Sequence, residues 1–184
     1  MKYLFFVALF YFILPFSCKT KNKSEPLISG KSIVLGQINH IDTSLYQITK
    51  YESANSINDT SYVPREDFRF YANSFIVLPD VTSREFSKSY NEEKIIDAEQ
   101  NTLSIITTAK DESLEIQQQI LIIDLNDLTT SNVKSIFINR KQKTKGGFIQ
   151  EKLFWQLDSY FQIATITQEE NKTEQIKIIK LTWQ

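Results

Sequence analysis

The chain has 184 residues, with 22 acidic against 21 basic side chains, one histidine and one cysteine. A formal net charge of −1 leaves no bulk basic field of the kind that gathers nucleic acid, and one His with one Cys cannot supply the three or four ligands of a zinc site. Aromatic residues at 12% and charged residues at 23% are the values of a chain that folds around a core.

Residues 2–18 read KYLFFVALFYFILPFSC and give way abruptly to the polar KTKNKSE. Every side chain from Tyr3 to Phe16 is apolar or aromatic, yet a helix that crosses a bilayer core needs about 20 such residues. The run is too short to span. One lysine, an apolar middle and the small Ser17 before a break follow the plan of an export signal. A buried core helix fits badly, because the run is apolar all round and Pro15 would damage its last turn.

The end of this stretch, Leu14-Pro15-Phe16-Ser17-Cys18, resembles the lipobox of bacterial lipoproteins, in which the chain is cut before the cysteine and the thiol is acylated. Ser17 and Cys18 match that pattern; Phe16 is bulkier than the usual small residue, and Leu14 sits one place early. The Ile-, Asn- and Lys-rich composition is similar to that of small lipoproteins of Bacteroidota. The resemblance covers residues 1–18. It implies a signal peptide at 1–17 cleaved between Ser17 and Cys18, a palmitate-type lipid anchor on Cys18, and attachment to the bacterial outer membrane, facing the periplasm. With Cys18 so modified, no thiol remains and no disulfide can form, so the rest of the chain must be held by its core alone.

Residues 18–30 carry Lys19, Lys21 and Lys23 without an apolar period and read as a tether. A single domain is expected over 31–184. In its first part, 31–36 and 44–51 read as short strands bounded by Gly30, Gly36 and a turn at Asp42-Thr43-Ser44, and 52–62 reads as a loop. His40 then falls between strands. A helix pair is expected over 64–91. Pro64 suits a first helical position, and Phe68, Ala72, Phe75 and Ile76 share a face before Pro79. Asp80 or Thr82 would cap the second helix, with Phe86 and Tyr90 on one side.

From Lys94 the period becomes strand-like, with candidate strands at 94–98, 102–108, 114–124, 133–140, 148–157, 160–168 and 175–183. The connections are too short for crossover helices, so neighbours pair antiparallel. One face is expected to carry Leu114, Ile116, Ile120, Ile122, Leu153, Trp155, Leu157, Phe161, Ile163, Ile176 and Ile178. Ile120 to Ile123, Ile136 to Ile138 and Leu153 to Trp155 are apolar on both faces and call for cover on each. The fold expected is α+β: an antiparallel meander of six or seven strands over 94–184, strongly curved or barrel-like, with the helix pair packed on it.

Motifs for catalysis are missing from the sequence: it has no phosphate loop, no Gly-x-Ser-x-Gly and no His-Glu-x-x-His. Paired acids at Glu92/Glu93, Asp111/Glu112, Asp124/Asp127 and Glu169/Glu170 would do hydrolytic work only if held across a cleft, and all fall in loops or strand ends. Arg140, Lys141, Lys143 and Lys145 place four cations in six residues on a hairpin loop, a candidate contact for an anionic surface. No metal and no cofactor is expected. The function expected is a lipid-anchored, non-catalytic accessory or binding module of the cell envelope, with the membrane through acylated Cys18 and an envelope protein, lipid or glycan as partners, and no nucleic acid. Two alternatives stand beside it: a carrier or sensor of an apolar ligand such as a lipid, which requires a cavity between helices and sheet, and a carboxylate-dependent hydrolase, which requires two acids facing each other in a cleft.

Overall fold

A computed structural model describes residues 28–55, 57–126, 132–170 and 172–184. The signal, Ser17, Cys18 and most of the tether lie outside the described residues, as do Asp127 and Asn171. Among the described residues no helix is long and apolar enough to cross a membrane.

The first element among the described residues is a helix, α1 (Gly30–Thr43), and not a strand at 31–36. Ser29 caps it by accepting a hydrogen bond from the Ser32 amide at 3.1 Å. Gly30, Val34, Ile38 and Ile41 are buried along one stripe, a helical spacing hidden in the sequence by Gly36, which reads as a boundary. Gly36 is exposed mid-helix, and a Cβ there would meet nothing within 4 Å. His40 therefore sits in the last helical turn, edge-on to Tyr46 at 5.9 Å, and not in an interstrand loop.

Strands β1 (Ile48–Ala54) and β2 (Ile57–Val63) form a hairpin where 52–62 reads as loop. The turn places Asn55 at φ 50, a left-handed conformation that Asn tolerates. β2 is an edge strand with all but two residues exposed, so it has no apolar alternation to announce it. Next, Pro64 leads into a 3-10 turn (Arg65–Asp67) and two single-turn helices, α2 (Phe68–Tyr71) and α3 (Asn73–Ile76). The expected face holds, since Phe68, Ala72 and Phe75 are buried. The second helix of the expected pair does not form. Asp80 accepts from the Thr82 amide and hydroxyl in a local turn, Ser87–Ser89 is a 3-10 turn, and Tyr90 already begins a strand.

Strands β3 (Tyr90–Asp97), β4 (Thr102–Ala109), β5 (Ile116–Asp124), β6 (Val133–Thr144), β7 (Gly147–Gln156), β8 (Tyr160–Glu169) and β9 (Gln175–Trp183) follow the expected meander closely. The sheet is larger than expected: β1 pairs with β9, matching Ile48 to Trp183, and brings β2 with it. The result is one antiparallel sheet of nine strands in the order β2-β1-β9-β8-β7-β6-β5-β4-β3. It is open, with β2 and β3 as edges, rather than closed into a barrel. Gly147 is needed where β7 starts, because a Cβ there would lie 1.8 Å from the Gln168 carbonyl oxygen of β8.

The helical layer covers one face of the sheet, called here the inner face. Phe68 meets Trp155, Phe161 and Trp183 edge-on at 5.6 to 6.4 Å, and Trp155 stacks on Phe161 at 5.2 Å. Leu153, Trp155, Phe161, Ile163 and Ile116 are buried as expected. Ile120 and Ile122 are not on this face. A bulge between Ile116 and Gln118 changes the phase of β5, so Gln119, Leu121 and Ile123 point inward. In β9 the inward positions are Ile179, Leu181 and Trp183, and Ile176 and Ile178 point outward; the adjacent isoleucines at 178 and 179 fit either phase. Among the described residues the strands apolar on both sides are thus covered on one side only, and Ile120, Phe137 and Phe154 are half-buried on the outer face.

Candidate functional site

The four cations expected to share a hairpin loop are distributed by strand alternation. β6 runs to Thr144, so Arg140 lies within a strand and points inward, buried, while Lys141 points outward. The Arg140 guanidinium donates to Glu115 at 2.5 Å and to Glu151 at 2.8 Å. Gln142 also donates to Glu115 at 2.9 Å, and Ser74 of α3 donates to Glu151 at 2.8 Å. This chain of contacts fastens the helical layer to the sheet. Burial raises the Tyr90 phenol above its ordinary pKa, and the charge of Glu115 adds to the effect. Arg140 is therefore a structural cation, and not part of a surface patch.

The three lysines remain exposed, but in different company. Lys141 Nζ lies 4.7 Å over the Phe148 ring. Lys143 is close enough to Asp111 to help hold that carboxyl below its usual range, the larger causes being hydrogen bonds from the Ser113 backbone and side chain. Lys145 shares a groove of about 360 Å³ with Glu169 and Glu170. A separate cleft of about 530 Å³ is lined by Asp111, Glu112, Ser113, Glu115, Lys141, Gln142 and Lys143.

Of the acidic pairs read from sequence, Asp111 and Glu112 share the 530 Å³ cleft with Glu115, Glu169 and Glu170 share the groove with Lys145, and Asp127 lies outside the described residues. Glu92 and Glu93 lie on opposite sides of edge strand β3, and Asp124 is bound to Lys134 at 2.8 Å. Glu115 and Glu151, which converge on the buried Arg140, are carboxylates that sequence reasoning missed. Their signal was the cross-strand register: Arg140 stands directly opposite Glu151. Both bind the guanidinium between them. A second ion network on the inner face joins Lys50 to Glu52 at 2.8 Å and Lys177 to Glu52 at 2.7 Å. Hydrogen bonds from Lys177 and then Lys50 hold the Glu52 carboxyl below its ordinary value.

The space between helices and sheet is filled by Trp155, Phe68, Phe75, Phe161, Leu78 and Ile38, all essentially without solvent exposure. The outer face differs. Across β6, β7, β8, β9 and β1, one cross-strand row reads Phe137, Phe154, Gln162, Lys180 and Tyr51, and the row beside it begins Asn139, Lys152, Ala164. Lys180 Nζ sits 4.2 Å over the Tyr160 ring. Rings, amides and ammonium groups alternate on a surface that no helix among the described residues covers. No family model matches the chain, and neither does any curated protein or solved structure.

Proposed function

We propose that this chain is a lipid-anchored protein of the cell envelope that acts as a non-catalytic binding module, with the outer face of its sheet as the binding surface. The observation that carries the reading is the uncovered face of aromatic, amide and lysine side chains, set against an inner face whose space is filled and whose charges are paired. The anchor rests on residues 2–18 and their lipobox-like end, and places the module on the bacterial outer membrane facing the periplasm. Lys141, Lys143 and Lys145 stay candidate contacts for an anionic surface; Arg140 does not.

The filled interior gives the apolar-carrier reading no support, because a ligand pocket of roughly 300 Å³ or more would have to replace packed aromatic rings. Of the acids a hydrolase would draw on, Glu115 and Glu151 are held by Arg140, and Asp111, which shares the 530 Å³ cleft with Glu112 and Glu115, accepts from the Ser113 amide at 2.7 Å. The test of the anchor is Cys18→Ala. The wild-type chain takes up labelled fatty acid and partitions with membranes; the variant does neither. Unchanged labelling and partition in the variant would refute the anchor.

A further inference from the structure

The outer positions of six neighbouring strands, β6 to β9 followed by β1 and β2, contain no carboxylate. The acids of those strands, Glu52, Asp59, Glu151 and Glu169, all fall on the inner side of the register. In a chain with 22 acids and 21 bases this is segregation within the fold and not a matter of composition. Lys141, Lys143, Lys152 and Lys180 remain on the outer side, and all but Lys180 are exposed. Lys152 and Lys180 stand two strands apart, roughly 10 Å across the sheet.

The chemistry between the cations narrows the partner. Half-exposed rings offer faces to the C–H surfaces of sugar rings, and Asn139, Gln150 and Gln162 offer both donors and acceptors to hydroxyl groups. Gln150 already donates to Asn139 at 2.8 Å, which holds both amides in place. A bilayer fits less well, since these amides would lose water without gaining partners among acyl chains. A nucleic acid fits less well too: duplex DNA carries a charge every 1.7 Å or so, and four lysines over several strands are too sparse to match it.

We propose that this face binds an acidic polysaccharide, with lysines pairing its carboxylates and the rings and amides seating its sugars. The inference rests on the binding-module reading and names the partner of that surface.

The test uses the full chain in a neutral detergent and measures binding to polygalacturonate, to neutral dextran, to phosphatidylglycerol vesicles and to an oligothymidylate strand. Polygalacturonate binds best, and its binding weakens as salt rises. Lys152→Glu/Lys180→Gln lowers the affinity roughly tenfold or more. Lys88→Gln/Lys110→Gln, which removes two exposed cations away from this face, leaves it unchanged. If the first double variant fails to fold, Lys152→Glu alone carries the test, because that side chain is exposed. Absence of polygalacturonate binding, equal binding to dextran, preference for vesicles or oligonucleotide, or an equal loss in the control variant overturns the inference. Release of reducing ends from bound polygalacturonate would overturn the non-catalytic reading and leave the polysaccharide site standing, so the two failures are distinguishable.

Discussion

Arg140 and Lys141 are neighbours in sequence and lie on opposite faces of one sheet. Arg140 is enclosed, with Glu115 and Glu151 at hydrogen-bonding distance, whereas Lys141 lies over an aromatic ring in solvent. The same contrast runs through the sheet. The inner face fills its volume with aromatic rings and matches its charges, so its side chains act on stability. On β6 to β9, β1 and β2 the outer positions leave their lysines without carboxylates beside them in the strands, and on the proposed function substitutions there act on recognition. Neither residue type nor position along the chain predicts which role a cation takes; the side of the strand does.

The largest effect should come from the aromatic core. Trp155→Ala or Phe68→Ala costs about 3–5 kcal/mol in urea unfolding, while Phe154→Ala, half-buried on the outer face, costs about 1 kcal/mol. Equal losses at Trp155 and Phe154 would break the division of labour. Next comes the fastening network. Glu151→Ala removes partners of both Arg140 and Ser74 and costs about 2 kcal/mol, measured by the same melts; the full penalty of a broken buried pair is reduced because Glu115 stays and is partly exposed.

A smaller, pH-dependent effect is expected at Asp80. Burial works to raise its pKa, but hydrogen bonds from Ser29 and Thr82 outweigh burial and hold the carboxyl below its ordinary value. A lowered folded-state pKa contributes stability that is complete above about pH 4 and is lost as the pH falls through the folded-state value. Asp80→Asn is therefore less stable than wild type near neutrality, and the gap narrows in acid. Thermal melts from pH 7 down to 3 measure it, and a gap that widens in acid contradicts the assignment. Smallest of all is Lys152→Glu, which shifts stability by no more than about 0.5 kcal/mol while acting on polysaccharide binding.

Seven of the nine strands were legible because their apolar residues are β-branched or aromatic and their turns are polar and short. The N-terminal third was harder to read. In α1 a central glycine looks like a boundary, and β2 is an edge strand whose sequence, INDTSYV, has too little buried surface to show a period. The extension of the sheet beyond β9 depends on whether β1 meets β9, a pairing more than a hundred residues apart that no local pattern encodes. The candidate surface was only partly legible. Lys141 stood out within a cationic run, but the run itself misled, because alternation sends Arg140 inside. Lys152 and Lys180 lie in different strands and come onto one face only through the register of β7, β8 and β9.

Mapping amide chemical shifts of the full chain as polygalacturonate is added tests the central claim most directly. The largest changes are expected on outer-face residues of β6 to β9 and β1, with Lys152, Phe154, Gln162 and Lys180 among them. Changes concentrated at the cleft beside Asp111 and Glu112, or on the helical layer over Trp155, would contradict it.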